Sequence, residues 1–145
     1  MKLEDIQNLW DQDREIDQCD LSNEALKIPY LHGKYYRIFI QERLRLVQML
    51  DELKLLKFKK HEFYIDGPCD ETPTEWLPFM PARGRIIKSD VDRYIEVDPD
   101  VVTASQLLQM QTEKTKFIES IISGLRERGY AIKNSLDAQR FSAGG

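Results

Sequence analysis

The chain has 145 residues, 41% of them hydrophobic and 32% charged, with a formal net charge of −4. Such a length fits one compact domain with at most a smaller appended motif, and the composition is too apolar for a wholly disordered protein. No apolar run is long enough to span a bilayer, and Met1-Lys2-Leu3-Glu4-Asp5 lacks the basic flank and apolar stretch of a signal peptide, which predicts a soluble, intracellular chain.

Leu3, Ile6, Leu9 and Trp10 recur at helical spacing and predict a short amphipathic helix from Leu3 to Ile16. Ser22 is the expected N-cap of a helical turn that ends near Pro29, where the chain kinks or restarts. From Tyr30 to Tyr64 good helix formers dominate and proline is absent, so a helix of about 50 Å is expected there. Asp66-Gly67-Pro68 ends it. The stretch to Gly84 contains Pro68, Pro73, Pro78 and Pro81, which predicts a long loop. Trp76, Leu77, Phe79 and Met80 would be wasted in a solvated linker, so this loop is expected to pack on a helix or on a neighbouring subunit.

Arg85 to Lys88 suits a short extended segment, and Ser89 to Asp92 supplies the acceptors of a helix start. Asp98-Pro99 repeats that signal more strongly, with an acceptor at the cap and proline in the first turn. A second long helix is expected from Pro99 to Arg128, closed by Gly129, with a shorter amphipathic piece carrying Tyr130, Ile132, Leu136 and Phe141 beyond it. The fold class that results is all-α: an extended long-helix N-terminal part with a proline-rich loop (residues 1–84), then a helical C-terminal part (residues 85–145).

Charge is segregated along these elements. Residues 1–24 carry eight acids against two bases, a local −6, whereas residues 27–61 carry nine bases against three acids, a local +6. Over a Debye length of about 8 Å the local excess matters more than the total. On the expected helix Lys34, Arg37, Gln41, Arg45, Gln48, Glu52 and Lys59 fall within about 80° of one another, while Tyr35, Phe39, Leu46, Met49, Leu50 and Leu53 form a separate apolar face. Such a stripe can track phosphates without reading sequence, and Lys57, Lys59, Lys60, Phe63 and Tyr64 extend it with bases beside aromatics, the mixture suited to a single strand. The same residues also fit the solvated face of an ordinary amphipathic helix, with Phe63 and Tyr64 in a core.

Catalytic signals are missing. Gly33-Lys34 lacks the remainder of a phosphate-binding loop, no nucleophile or dinucleotide motif occurs, and His32, His61, Cys19 and Cys69 have no metal-ligand spacing. The expectation is a non-enzyme without cofactor or metal.

The opening Met1 to Asp5, the run from Lys88 to Val91 on to Ile95-Glu96-Val97-Asp98, and above all Arg128-Gly129-Tyr130-Ala131-Ile132-Lys133-Asn134 with Arg140-Phe141 and Ala143-Gly144, resemble the UvsY recombination mediators of T-even-type phages. The resemblance spans nearly the whole chain. It implies a protein of the infected host's cytoplasm that binds single-stranded DNA and contacts a RecA-like recombinase and a single-strand-binding protein. The recombinase is thereby loaded on coated strands. It also implies a homo-oligomer, a hexameric or heptameric ring, assembled by the C-terminal helical motif.

In that family a Leu-Lys-x-Arg segment before paired aromatics is tied to DNA binding. Leu56-Lys57-Phe58-Lys59 stands in its place before Phe63-Tyr64, with the spacing off by one residue, so that Lys59 or Lys60 replaces the arginine. The DNA-binding candidates are therefore Lys34, Arg37, Arg45, Lys57, Lys59, Lys60, Phe63 and Tyr64. The oligomerisation candidates are Phe117, Ile118, Ile121, Ile122, Leu125, Tyr130 and Ile132, expected to bury between subunits because two long helices in so small a chain have too few partners. The alternative is a helical scaffold without DNA affinity, its acidic and basic segments pairing between copies.

Overall fold

A computed structural model describes residues 1–81 and 86–144. Gly84 and Arg85, where the loop and the first expected region end and the extended segment starts, and Gly145 at the expected frayed end lie outside them. Among the described residues four α-helices follow one another: α1 (Leu3–Asp13), α2 (Leu21–Asp66), α3 (Val91–Glu96) and α4 (Pro99–Ser142), with a 3-10 helix over Thr74–Phe79 between α2 and α3. The fold is all-α, with no strand among the described residues. No helix among them is long and apolar enough to cross a membrane.

Local chemistry explains the bounds, and some differ from expectation. Helix α1 stops at Asp13 instead of Ile16, because the carbonyls of Asp13 and Glu15 turn to accept hydrogen bonds from the Arg128 guanidinium at 3.0 and 3.1 Å. Helix α2 is capped by Asp20, whose carboxylate accepts the Asn23 N–H at 3.3 Å, and not by Ser22. It runs through Pro29 without restarting. Pro29 is exposed, so water is at hand for the carbonyl that its ring deprives of a donor. Gly67, at φ +84°, ends α2 in the left-handed conformation that favours glycine.

Helix α4 begins as expected: Asp98 Oδ1 accepts the N–H groups of Asp100 and Val101 at 3.0 and 3.2 Å, and Pro99 fills the first turn. It does not stop at Gly129. Arg128, instead of neutralising a helix end, reaches Glu24 Oε2 at 3.1 Å, and the buried Ile132 one turn on continues the inward face.

Two long helices, of 46 and 44 residues, each contribute to two compact units. The first unit comprises Met1–Leu44 and Thr112–Gly145, the second Arg45–Gln111. The expected regions 1–84 and 85–145 are cut across by these packing units. In the first, Ile6 of α1, Leu31 and Tyr35 of α2, and Ile118, Ile121 and Leu125 of α4 form the core, with Trp10 edge-on to Tyr35 at 5.4 Å between centroids. Tyr35 donates to Asp13 at 2.8 Å, and Lys34 pairs with the same carboxylate at 2.6 Å. In the second, Leu53, Phe63 and Tyr64 of α2 pack with Ile86, Val91 and Ile95 and with Val101 of α4, and Trp76 and Met80 cover them. The proline-rich segment therefore does pack on a helix through Trp76 and Met80, while Leu77 and Phe79 stay exposed.

Candidate nucleic-acid interface

In the second unit α2 turns Leu53, Leu56, Lys60, Phe63 and Tyr64 inward, all within about 100° on a helical projection. Lys60 occupies the middle of that arc, so its stem has nowhere to go but the core, and the residue is 0% exposed. Its ammonium is held by Asp98 at 3.1 Å and Asp100 at 2.9 Å and lies 3.8 Å from the centroid of the Trp76 ring. Tyr64 donates to Asp98 at 2.6 Å. A charge taken out of water requires such partners, because an unpaired one would cost several kcal/mol.

Burial alone would raise the Asp98 pKa, but the hydrogen bonds from Tyr64 and Lys60 outweigh it and hold this carboxyl below its ordinary value. Burial and the bond to Asp98 push the Tyr64 phenol well above the usual tyrosine range. Asp13 and Tyr35 repeat the pattern in the first unit: desolvation works against the Asp13 carboxylate, the bonds from Lys34 and Tyr35 prevail, and its pKa falls. Tyr35 is raised, by burial first and by its bond to Asp13 second.

Of the residues expected to hold DNA, three are therefore not on the surface. Lys60, Phe63 and Tyr64 are core residues: Phe63 stacks edge-on with Trp76 at 5.6 Å, Tyr64 meets Tyr94 at 5.9 Å, and neither ring has a face free for a base. Lys34 is drawn to Asp13. Arg37, Arg45, Lys57 and Lys59 are exposed, with Arg45 bonded to Gln48 at 3.4 Å and 3.7 Å from Glu52. Lys54, which the helical stripe passes over, is exposed as well. Among the described residues Lys54, Lys57 and Lys59 make no ion pair, and Lys54, Lys57, Phe58 and His61 share an arc of about 100° on the outer side of α2. The i, i+4 spacing of Lys54 and Phe58 was the available signal for this outer group, and the period of Leu53, Leu56, Lys60 and Tyr64 was the signal for burial of Lys60.

The apolar residues expected between subunits also divide. Ile118, Ile121 and Leu125 are covered by this chain's own α1 and α2, which corrects the expectation that their surface awaits another copy. Phe117 and Ile122 pack on the same core, and Ile132 is buried. Tyr130 alone of the set is largely exposed, at 65%. A different apolar face is left open: Leu26 (77% exposed), Tyr30 (72%), Ile40 and Leu44 lie within about 80° on the side of α2 opposite Leu31 and Tyr35.

Two long helices, with cations that make no ion pair among the described residues on the outer side of one and an uncovered apolar face in the first unit, define an all-α protein. The family model described as "Recombination, repair and ssDNA binding protein UvsY" matches residues 9–145, and the chain belongs to this family. Recombination protein uvsY of Enterobacteria phage T4 is 25% identical over 145 residues, covering 99% of each chain. Crystal structures of the bacteriophage T4 recombination mediator protein UvsY share the fold. Lattice type II superposes with a TM-score of 0.80 at 24% identity, over 99% of this chain and 98% of that one. Lattice type IV gives 0.78 at 21% identity, over 98% and 99%.

Proposed function

We propose that this chain is a non-enzymatic recombination mediator: it binds single-stranded DNA and promotes loading of a RecA-like recombinase onto strands coated by single-strand-binding protein. The observation that carries this reading is membership of a recombination, repair and single-strand-binding family along residues 9–145. The geometry supports a cationic contact made by Lys54, Lys57 and Lys59 in the second unit, with Arg45 as a further phosphate ligand of that unit. Each such contact releases counterions and reads no sequence.

Copies of the chain assemble into a closed ring in this reading, and the open face with Leu26, Tyr30 and Leu44, together with Tyr130, supplies apolar surface for it. Several weak sites on one ring then hold one strand together, which raises avidity by about 10²–10⁴ without new contacts. A mediator needs that property, since it must grip a strand still partly covered by another protein.

The test is binding to single- and double-stranded DNA across a salt series. The single strand should bind more tightly, and Lys57→Ala with Lys59→Ala should reduce the slope of log affinity against log salt by about 0.7 per lost contact. An assembling protein with no affinity for either DNA would be a scaffold instead.

A further inference from the structure

We propose that Phe58 is a base-stacking platform for a single strand, an inference that rests on the strand binding proposed above. Phe58 is 61% exposed about two turns before the end of a long helix, so its ring is held out from a regular element. It stands on the ridge between two clefts of the second unit. One, of about 650 Å³, also takes in Lys57 and His61; the other, of about 500 Å³, takes in Leu55 and Lys59. A lysine thus flanks the ring on either side.

A single exposed phenyl group needs no explanation by itself. Its surroundings set this one apart. The other aromatics at this end of α2 are already engaged, Phe63 by Trp76 and Tyr64 by Tyr94, whereas Phe58 makes no ring contact among the described residues. The ring is therefore open to a planar partner, and cations within a residue of it can hold the phosphates on either side of that base. Asp92 and Glu96 of α3 line the first cleft together with Lys57 of α2. Their charge repels a phosphate and admits an uncharged base, which keeps the strand's backbone on the α2 side. Duplex DNA, its bases stacked on one another, has no face to offer.

The test compares the full chain with Phe58→Leu, which keeps apolar bulk but has no π-face, and Phe58→Trp, which enlarges the face, on a short oligothymidylate. Phe58→Leu should bind about 5- to 150-fold more weakly, the range expected for losing one stacked base, and Phe58→Trp as tightly as the original or tighter. The salt slope should not change in either, because no charge is removed, whereas Lys57→Ala should lower it. An unaltered melting temperature and sedimentation coefficient should accompany these results. Undiminished affinity of Phe58→Leu in a protein that otherwise binds the strand would overturn the stacking role and leave strand binding intact. Absence of binding by the unmodified chain would overturn both. Breakdown of the assembly on Phe58→Leu would assign the ring to a second copy and overturn the proposal.

Discussion

Lys60 shows how one residue's position on a helix outweighs its type. It belongs to the most basic stretch of the chain, yet the helical period places it between Leu56 and Tyr64 on the buried side, and it serves the core. Lys60→Met should therefore destabilise the protein by about 3–5 kcal/mol in urea unfolding, since Asp98 would stay buried without its cation. Below its unfolding temperature the variant should bind single strands as tightly as the original chain, in contrast to Lys57→Ala. The same node makes stability depend on acid. Asp98 and Asp13 have folded pKa values below their unfolded ones, so their contribution is fully present above the unfolded carboxylate value of about 3.9 and is lost as pH falls through the folded values. Asp98→Asn, which keeps a capping oxygen, should flatten the decline of stability below about pH 4. An equally steep decline in that variant would place the acid sensitivity elsewhere.

At the level of elements, boundaries set by local chemistry were easier to read than those set by distant contacts. Asp98-Pro99 marks the beginning of α4 in the sequence because the capping oxygen and the proline act locally. Arg128-Gly129 reads just as plainly as an end, yet α4 passes through it, because the decisive contacts come from Glu24, Asp13 and Glu15, more than a hundred residues away. Pro29 failed as a breaker for a related reason, the packing of Leu31 and Tyr35 holding α2 together on its far side. Gly129 gives a direct check. Its φ is not positive, and a Cβ there would meet only Ile28 Cδ1 at 3.7 Å, an ordinary contact. Gly129→Ala should stabilise the protein by about 0.5–1 kcal/mol. A glycine that ended the helix in the left-handed conformation would respond in the opposite sense.

For the whole molecule, the all-α class and the two long helices were legible from periodicity, whereas which apolar faces meet each other was not. Ile118, Ile121 and Leu125 read as surplus in the sequence because their partners, Ile6, Leu31 and Tyr35, lie more than eighty residues away. The surplus instead sits on α2. Leu26→Ser with Tyr30→Ser should leave the fold's melting temperature nearly unchanged and shift sedimentation toward smaller species. Affinity for long oligonucleotides should drop with it by about 10²–10⁴, while a strand short enough for one copy should be bound as before. Cutting the chain after Gly124 is a poorer probe, since it removes Leu125, Arg128 and Ile132 from the first unit's interior.

The first unit is assembled from two stretches of chain, Met1–Leu44 and Thr112–Gly145, and the second unit's residues fall between these stretches in sequence. In the second unit the bonds from Lys60 to Asp100 and from Tyr64 to Asp98 span 40 and 34 positions and need nothing beyond the start of α4. The first unit must wait for Arg128 to reach back 104 positions to Glu24 and 115 to Asp13. Closing so long a loop is slow, and until then Leu31 and Tyr35 lack the α4 side chains that cover them. A released chain truncated after Gln111 should thus hold a protease-resistant middle and a cleavable beginning, and its first 44 residues are the segment most in need of a chaperone.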